Sequence, residues 1–123
     1  MSVRAVRGAI TLDADTPEQI QTHVADLVGE ILRRNDLTAQ DVISALVTAT
    51  DDVHSAHPAA SVRRSGLADV PIMGARELEI VDGLQLCIRL MLHVDSKRSA
   101  AQIRHVFLRG ATVLRPDLDD SND

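Results

Sequence analysis

A chain of 123 residues with 45% hydrophobic and 25% charged side chains has the make-up of one globular domain, and nothing in it argues for disorder or a membrane span. A net charge of -5, the absence of any basic run and a single aromatic residue, Phe107, exclude a nucleic-acid surface built on phosphate contacts and base stacking. Asp117, Asp119, Asp120 and Asp123 crowd the C-terminal end, so the body is nearly neutral, and its core must be aliphatic.

Val3 to Leu12 alternates in part and reads as a first strand, with Gly8 marking either a bulge or a close approach by another group. Thr16-Pro17-Glu18-Gln19 is a helix start, with Thr as N-cap, Pro where its missing N–H costs nothing, and Gln19 placed to complete a capping box. Ile20, Val24, Leu27, Val28, Ile31 and Leu32 follow at helical spacing, and Asn35 is the stop. After a turn at Thr38 to Gln40, Asp41 to Thr50 reads as a buried strand. Asp51 to His57 is a loop, Pro58 to Ser65 a short helix closed by Gly66, and Val70 to Met73 a brief third strand. Leu84 to Val94, the longest apolar run, suits a central strand; Ala101 and Gln102 form a helical turn, and Ile103 to Leu108 a last strand. The expectation is an α+β domain over residues 1–118, a mixed sheet of about five strands with one long helix on one face, followed by a disordered acidic tail at 119–123. Something must cover the other face of the sheet, and with no second long helix that cover is expected to be another subunit.

Cys87 stands alone inside an apolar run, which predicts a packed thiol in a reducing compartment. With no signal-like or membrane-spanning segment in view, a cytoplasmic location is expected. There is no Gly-rich phosphate loop, CxxC, HExxH or nucleophile elbow, and the histidines at 23, 54, 57, 93 and 105 lack ligand spacing, so no metal site is expected. What stands out is arginine within apolar strands. Arg7, Arg89 and Arg104 interrupt runs of Val, Ile, Leu and Ala, where an unpaired guanidinium would cost several kcal/mol. Each needs an anion: a carboxylate such as Glu77, Glu79 or Asp82, or solvent. Together with Arg63 on the short helix and Arg115 before the tail, they favour a ligand that carries more than one carboxylate.

Val3-Arg4-Ala5-Val6-Arg7-Gly8-Ala9, Thr16-Pro17-Glu18, Thr48-Ala49-Thr50, Asp52-Val53-His54-Ser55-Ala56-His57-Pro58-Ala59, Val70-Pro71, Arg76-Glu77, Ile88-Arg89, Ile103 to Leu108 and Leu114-Arg115-Pro116-Asp117-Leu118 stand in this order over nearly the whole chain. In that arrangement the chain resembles the monofunctional AroH-type chorismate mutases. The resemblance implies a trimeric pseudo α/β-barrel with active sites in the clefts between subunits. It also implies the cofactor-free and metal-free conversion of chorismate to prephenate, a step of phenylalanine and tyrosine biosynthesis. By resemblance, Arg89 contacts the ether oxygen and a carboxylate, Arg7 binds a carboxylate, and Glu77 accepts a hydrogen bond from the ring hydroxyl. Arg63 and Arg115 close the site and steer the dianion. Ala59, Ile72, Met73 and Leu114 form its walls, the Gly74 backbone N–H meets the ring hydroxyl, and His57 and Phe107 take two further lining positions. Arg104 and His105 are assigned structural roles.

Four positions depart from the family's usual pattern. His57 stands where the family commonly has an aromatic residue, Ala60 where it has Lys, Gly74 where it has Cys or Ser, and Phe107 where it has Tyr. Loss of the phenolic donor predicts weaker chorismate binding with the chemistry largely retained. Two other readings stay open on the sequence: a catalytically weakened homologue that binds a small dicarboxylate in a regulatory role, and an enamine or imine deaminase of the Rid type. A purely structural trimer with arginine–carboxylate pairs at its interfaces is a further possibility.

Overall fold

The structure is a computed structural model and describes residues 1–114. The tail at 119–123, and Arg115 with it, lie outside the described residues. Five strands, β1 (Ser2–Thr11), β2 (Val42–Ala49), β3 (Ile72–Arg76), β4 (Cys87–Ser96) and β5 (Val106–Leu108), form one sheet in the order β3-β2-β4-β1-β5. β4 runs antiparallel to both β1 and β2, while β1 and β5, and β2 and β3, are parallel, so the sheet is mixed. Helices α1 (Pro17–Arg34) and α2 (Pro58–Arg64) complete the α+β fold.

α1 begins at the expected N-cap, but Gln19 does not close the expected capping box, because the Thr16 N–H bonds the Ala14 carbonyl instead. The Thr16 hydroxyl accepts the Gln19 N–H at 3.1 Å, and the Gln19 side-chain oxygen reaches back to the N–H groups of Asp13 and Ala14. Its apolar stripe of Ile20, Val24, Leu27, Val28 and Ile31 is buried against Val6 and Ile10 of β1 and Ile88, Leu90, Leu92 and Val94 of β4. Gly8 marks a close approach rather than a bulge. The β1–β4 register is unbroken, and a Cβ at Gly8 would stand 2.7 Å from Ile31 Cδ1 and 3.2 Å from the Val106 carbonyl. The helix ends at Asn35, and Gly66, with φ of 100°, follows the end of α2.

β3 runs past the expected Met73 to Arg76 and β4 past Val94 to Ser96, and three strand starts fall later than the apolar runs predict, each for a local reason. Leu84 to Leu86 are not strand: Leu86 takes φ of 49°, and its N–H is held at 3.0 Å by both carboxylate oxygens of Asp52, so β4 starts at Cys87. β3 begins at Ile72 because Pro71 has no N–H to give the ladder, although its carbonyl accepts from Ala45. Ile103 to His105 are not strand either, since the Asn35 amide bonds both the N–H and the carbonyl of Arg104 at 2.8 Å. Arg104 is therefore an exposed residue before β5, not a charge inside a strand.

Because side chains alternate along a strand, every residue that faces α1 leaves its neighbours on the opposite face. That face presents Arg7 and Ala9 of β1, Arg89, Met91 and His93 of β4, Ser44, Leu46 and Thr48 of β2, and Met73 of β3. A small cluster of Ala9, Cys87, Phe107 and Ala111 covers one end of it, with Ala111 supplied by the 3-10 turn Arg109–Leu114. Elsewhere Val3, Leu46 and Met73 are exposed.

Candidate active site

Arg7 and Arg89 face the same side of the sheet from neighbouring strands, because Ala9 pairs with Arg89 and Arg7 with Met91. Glu77 follows the end of β3, where its N–H is held by the Ala49 carbonyl at 3.0 Å. Its carboxylate turns over the sheet to meet Arg89 and Thr48, which are themselves partners in the β2–β4 ladder. These residues and Phe107 line one depression of about 260 Å³, floored by Gly8, Leu46, Leu90 and Met91. Arg7 lies over the Phe107 ring, its guanidinium carbon 5.9 Å from the centroid, close enough for a cation–π contact. The Arg7 N–H donates to His105 Nδ1 at 3.0 Å, so His105 helps set the backbone from which Arg7 projects.

Arg89 and Glu77 form an ion pair of an unusual kind. Arg89 Nε approaches Glu77 Oε1 at 3.1 Å, but the N–H is buried and is not aligned into a hydrogen bond. The Thr48 hydroxyl, which donates to the same oxygen, is the aligned donor. With its side chain 38% exposed, the Arg89 guanidinium is open to a ligand, whereas Glu77, at 16%, is mostly covered. Both residues also border a second hollow of about 660 Å³, formed with Leu114 and the loop from Leu78 to Gln85. Leu78, Ile80 and Val81 on that loop are exposed, an unusual place for three large apolar side chains. Beside Arg89 the Cys87 thiol is buried, and burial pushes its pKa up to about 11 against the smaller opposing pull of Arg89. A thiol so shielded is no nucleophile at neutral pH.

The remaining anticipated residues form a separate group. His57, Ala59 and Gly74 line a hollow of about 930 Å³ between the loop before α2 and the β2–β3 edge, with Thr48 the residue it shares with the Arg89 depression. Arg63 is exposed in the last turn of α2. Ile72 packs against the main core, while Met73 is exposed on the opposite face. One chain thus assembles Arg7, Glu77, Arg89 and Phe107 on one face and leaves His57, Ala59, Gly74 and Arg63 at another edge. Thr48 stands out in the sequence only as part of the Thr48-Ala49-Thr50 segment, with no role attached.

Comparison with known proteins follows the same lines. The family model for chorismate mutase type I matches residues 3–118. The chain is 40% identical to the chorismate mutase AroH of Bacillus subtilis, over 96% of this chain and 94% of that protein. It is 37% identical to the chorismate mutase AroH of Thermus thermophilus, over 97% and 98%. Among solved structures, a chorismate mutase from Clostridium thermocellum superposes with a TM-score of 0.85 at 35% identity, covering 89% of this chain and 97% of that one.

Proposed function

Because the chain belongs to the chorismate mutase type I family, we propose that it converts chorismate to prephenate in a site that a second copy of the chain completes. The chain is an isomerase, a chorismate mutase of aromatic amino acid biosynthesis. The observation that carries the detailed reading is the convergence of Arg7, Arg89, Glu77 and Phe107 on one depression.

The rearrangement breaks one C–O bond and forms one C–C bond in a closed ring of electrons, and no proton or redox equivalent changes hands. It therefore asks the protein for two things only: a compact conformer of a dicarboxylate, and positive charge where the ether oxygen gains electron density. An acceleration of roughly 10⁶ corresponds to about 8 kcal/mol. Arg89 supplies the charge at the ether oxygen, a contribution of about 3–4 kcal/mol for one well-placed donor in a shielded site. Arg7 binds a carboxylate, and Glu77 accepts the ring hydroxyl. This chemistry calls for neither a metal nor a cofactor.

Two features support the second copy. The sheet face that bears Arg7 and Arg89 exposes Leu46 and Met73, with Leu78, Ile80 and Val81 on the adjoining loop, and contact with another subunit would bury them. The other anticipated residues, His57, Ala59 and Arg63, sit at an edge of the same chain that can reach a neighbour's Arg89 only in an assembly. A closed homotrimer with three such clefts, a pseudo α/β-barrel, accounts for both features. Arg115 follows directly on Leu114, which borders the Arg89 hollow, and in this reading it closes over the dianion. The buried lone thiol accords with a cytoplasmic enzyme.

The test is the loss of chorismate's near-ultraviolet absorbance on adding the protein, which has no Trp or Tyr to interfere. Turnover should fall at least 10²–10³-fold in Arg89→Ala, with the fold and assembly intact. Ligand binding without turnover by the wild type, or an Arg89→Ala variant of undiminished rate, would overturn the reading.

A further inference from the structure

Two arginine–carboxylate pairs stand near the β3 end of the sheet, and they differ in a way their sequences do not explain. Arg76 grips Asp51 as a fork, with Nε and Nη2 on Oδ1 at 3.1 and 2.8 Å and Nη2 on Oδ2 at 2.8 Å. This is the arrangement a planar guanidinium and a carboxylate adopt when left to themselves. Arg89 and Glu77 do not adopt it. Their nearest approach, Nε to Oε1 at 3.1 Å, is unaligned and makes no hydrogen bond, although the pair is better shielded from solvent than the Arg76 pair and stands to gain more from a fork.

The intruder is the Thr48 hydroxyl. It donates to Glu77 Oε1, the very oxygen that Arg89 Nε approaches, while the Glu77 N–H is fixed to the Ala49 carbonyl. Glu77 is thereby tied to β2 twice. Thr48 is also the cross-strand partner of Arg89, so its hydroxyl stands on the same face, between the two charges' anchoring strands.

We propose that Thr48 is a positioning residue that withholds Glu77 from Arg89, keeping the guanidinium's donors for the substrate. A full Arg89–Glu77 fork would occupy two of the donors that the developing charge on the ether oxygen requires, and would turn the Glu77 carboxylate away from the ring hydroxyl. The hydroxyl of Thr48 prevents both with a bond that needs no charge of its own. The inference deepens the mutase reading and rests on it.

Valine at position 48 keeps the shape and β-branch of threonine and deletes only the donor; serine keeps the donor. In the full-length protein, Thr48→Val should lower kcat/KM roughly ten- to a hundredfold, mainly through kcat, and Thr48→Ser should stay within about threefold of wild type. A double-mutant cycle separates positioning from packing. In a Glu77→Ala background there is no carboxylate to withhold, so Thr48→Val should cost less than about twofold more. Undiminished activity in Thr48→Val, or the same fold-loss with and without Glu77, would overturn the proposal. Should the wild type fail to turn over chorismate, the mutase reading falls by itself, and a crystal structure of Thr48→Val decides the positioning claim. Glu77 forked onto Arg89 would sustain it, and an unchanged single approach would end it.

Discussion

The two faces of the sheet obey different rules. On the side of α1, Val6, Ile10, Ile88, Leu90, Leu92 and Val94 meet Leu27, Val28 and Ile31, the buried His23 and Asn35 find partners in the Thr11 and Arg104 backbone, and one chain satisfies that face alone. On the opposite side, guanidinium groups, a histidine and a carboxylate alternate with Leu46, Met91 and Met73, and much of that apolar surface stays in contact with water. The covered face holds the fold, while the open face carries the proposed site and is the face that the proposed second copy would cover. The sharpest way to break this contrast is a substitution on each side. Leu27→Ala should cost about 2–5 kcal/mol of unfolding free energy, because the cavity it leaves is walled by rigid strands. Leu46→Asp should leave the monomer's secondary structure intact and dissociate the assembly in sedimentation, because it places a charge in the proposed contact. If Leu46→Asp unfolded the monomer as badly as Leu27→Ala does, the two faces would not be distinct.

Cys87 lies on the open side, and among the described residues there it is the titratable group that packing within the chain removes from water. Its ordinary pKa of 9.0 is pushed up to about 11 by burial, so in the folded state the neutral thiol is favoured. Between pH 9 and pH 11 the unfolded chain has therefore lost its thiol proton while the folded chain keeps it. Stability gained from the neutral thiol is complete below pH 9 and drains away as pH climbs toward 11. Urea midpoints at rising pH should show that decline, and Cys87→Ala should flatten it whatever its effect on absolute stability. An equal slope in both proteins would mean that the thiol is not shielded by the Ala9, Phe107 and Ala111 cluster.

How far the sequence reveals this architecture depends on whether the cause is local. The start of α1 is legible because Thr16, Pro17 and Gln19 carry it within four residues, and its face because six apolar side chains keep helical spacing. Arg7 and Arg89 are legible as cations that interrupt an apolar alternation. The ends of β4 and β5 are not, because they are set by the Asp52 carboxylate on Leu86 and the Asn35 amide on Arg104, bonds between residues far apart in the chain. Thr48 illustrates the same limit in the site. Nothing near it in sequence announces that its hydroxyl meets Glu77, which reaches it only after α2 and β3 bring the chain back.

The smallest effect is the most telling about the open face. Phe107 is buried under the depression with Arg7 over its ring, and its hydrocarbon edge offers no donor to a bound carboxylate. A phenolic hydroxyl there would add one hydrogen bond to the carboxylate that Arg7 is proposed to bind, about 0.5–1.5 kcal/mol, or roughly two- to tenfold in affinity. Phe107→Tyr should therefore lower KM for chorismate by that factor and leave kcat nearly unchanged, because the carboxylate carries its charge equally in the ground and transition states. A gain in kcat with KM unmoved would instead place position 107 at the reacting bonds. The carboxylate subsite would then have to be sought further from β5, toward the hollow that Leu114 shares with Arg89.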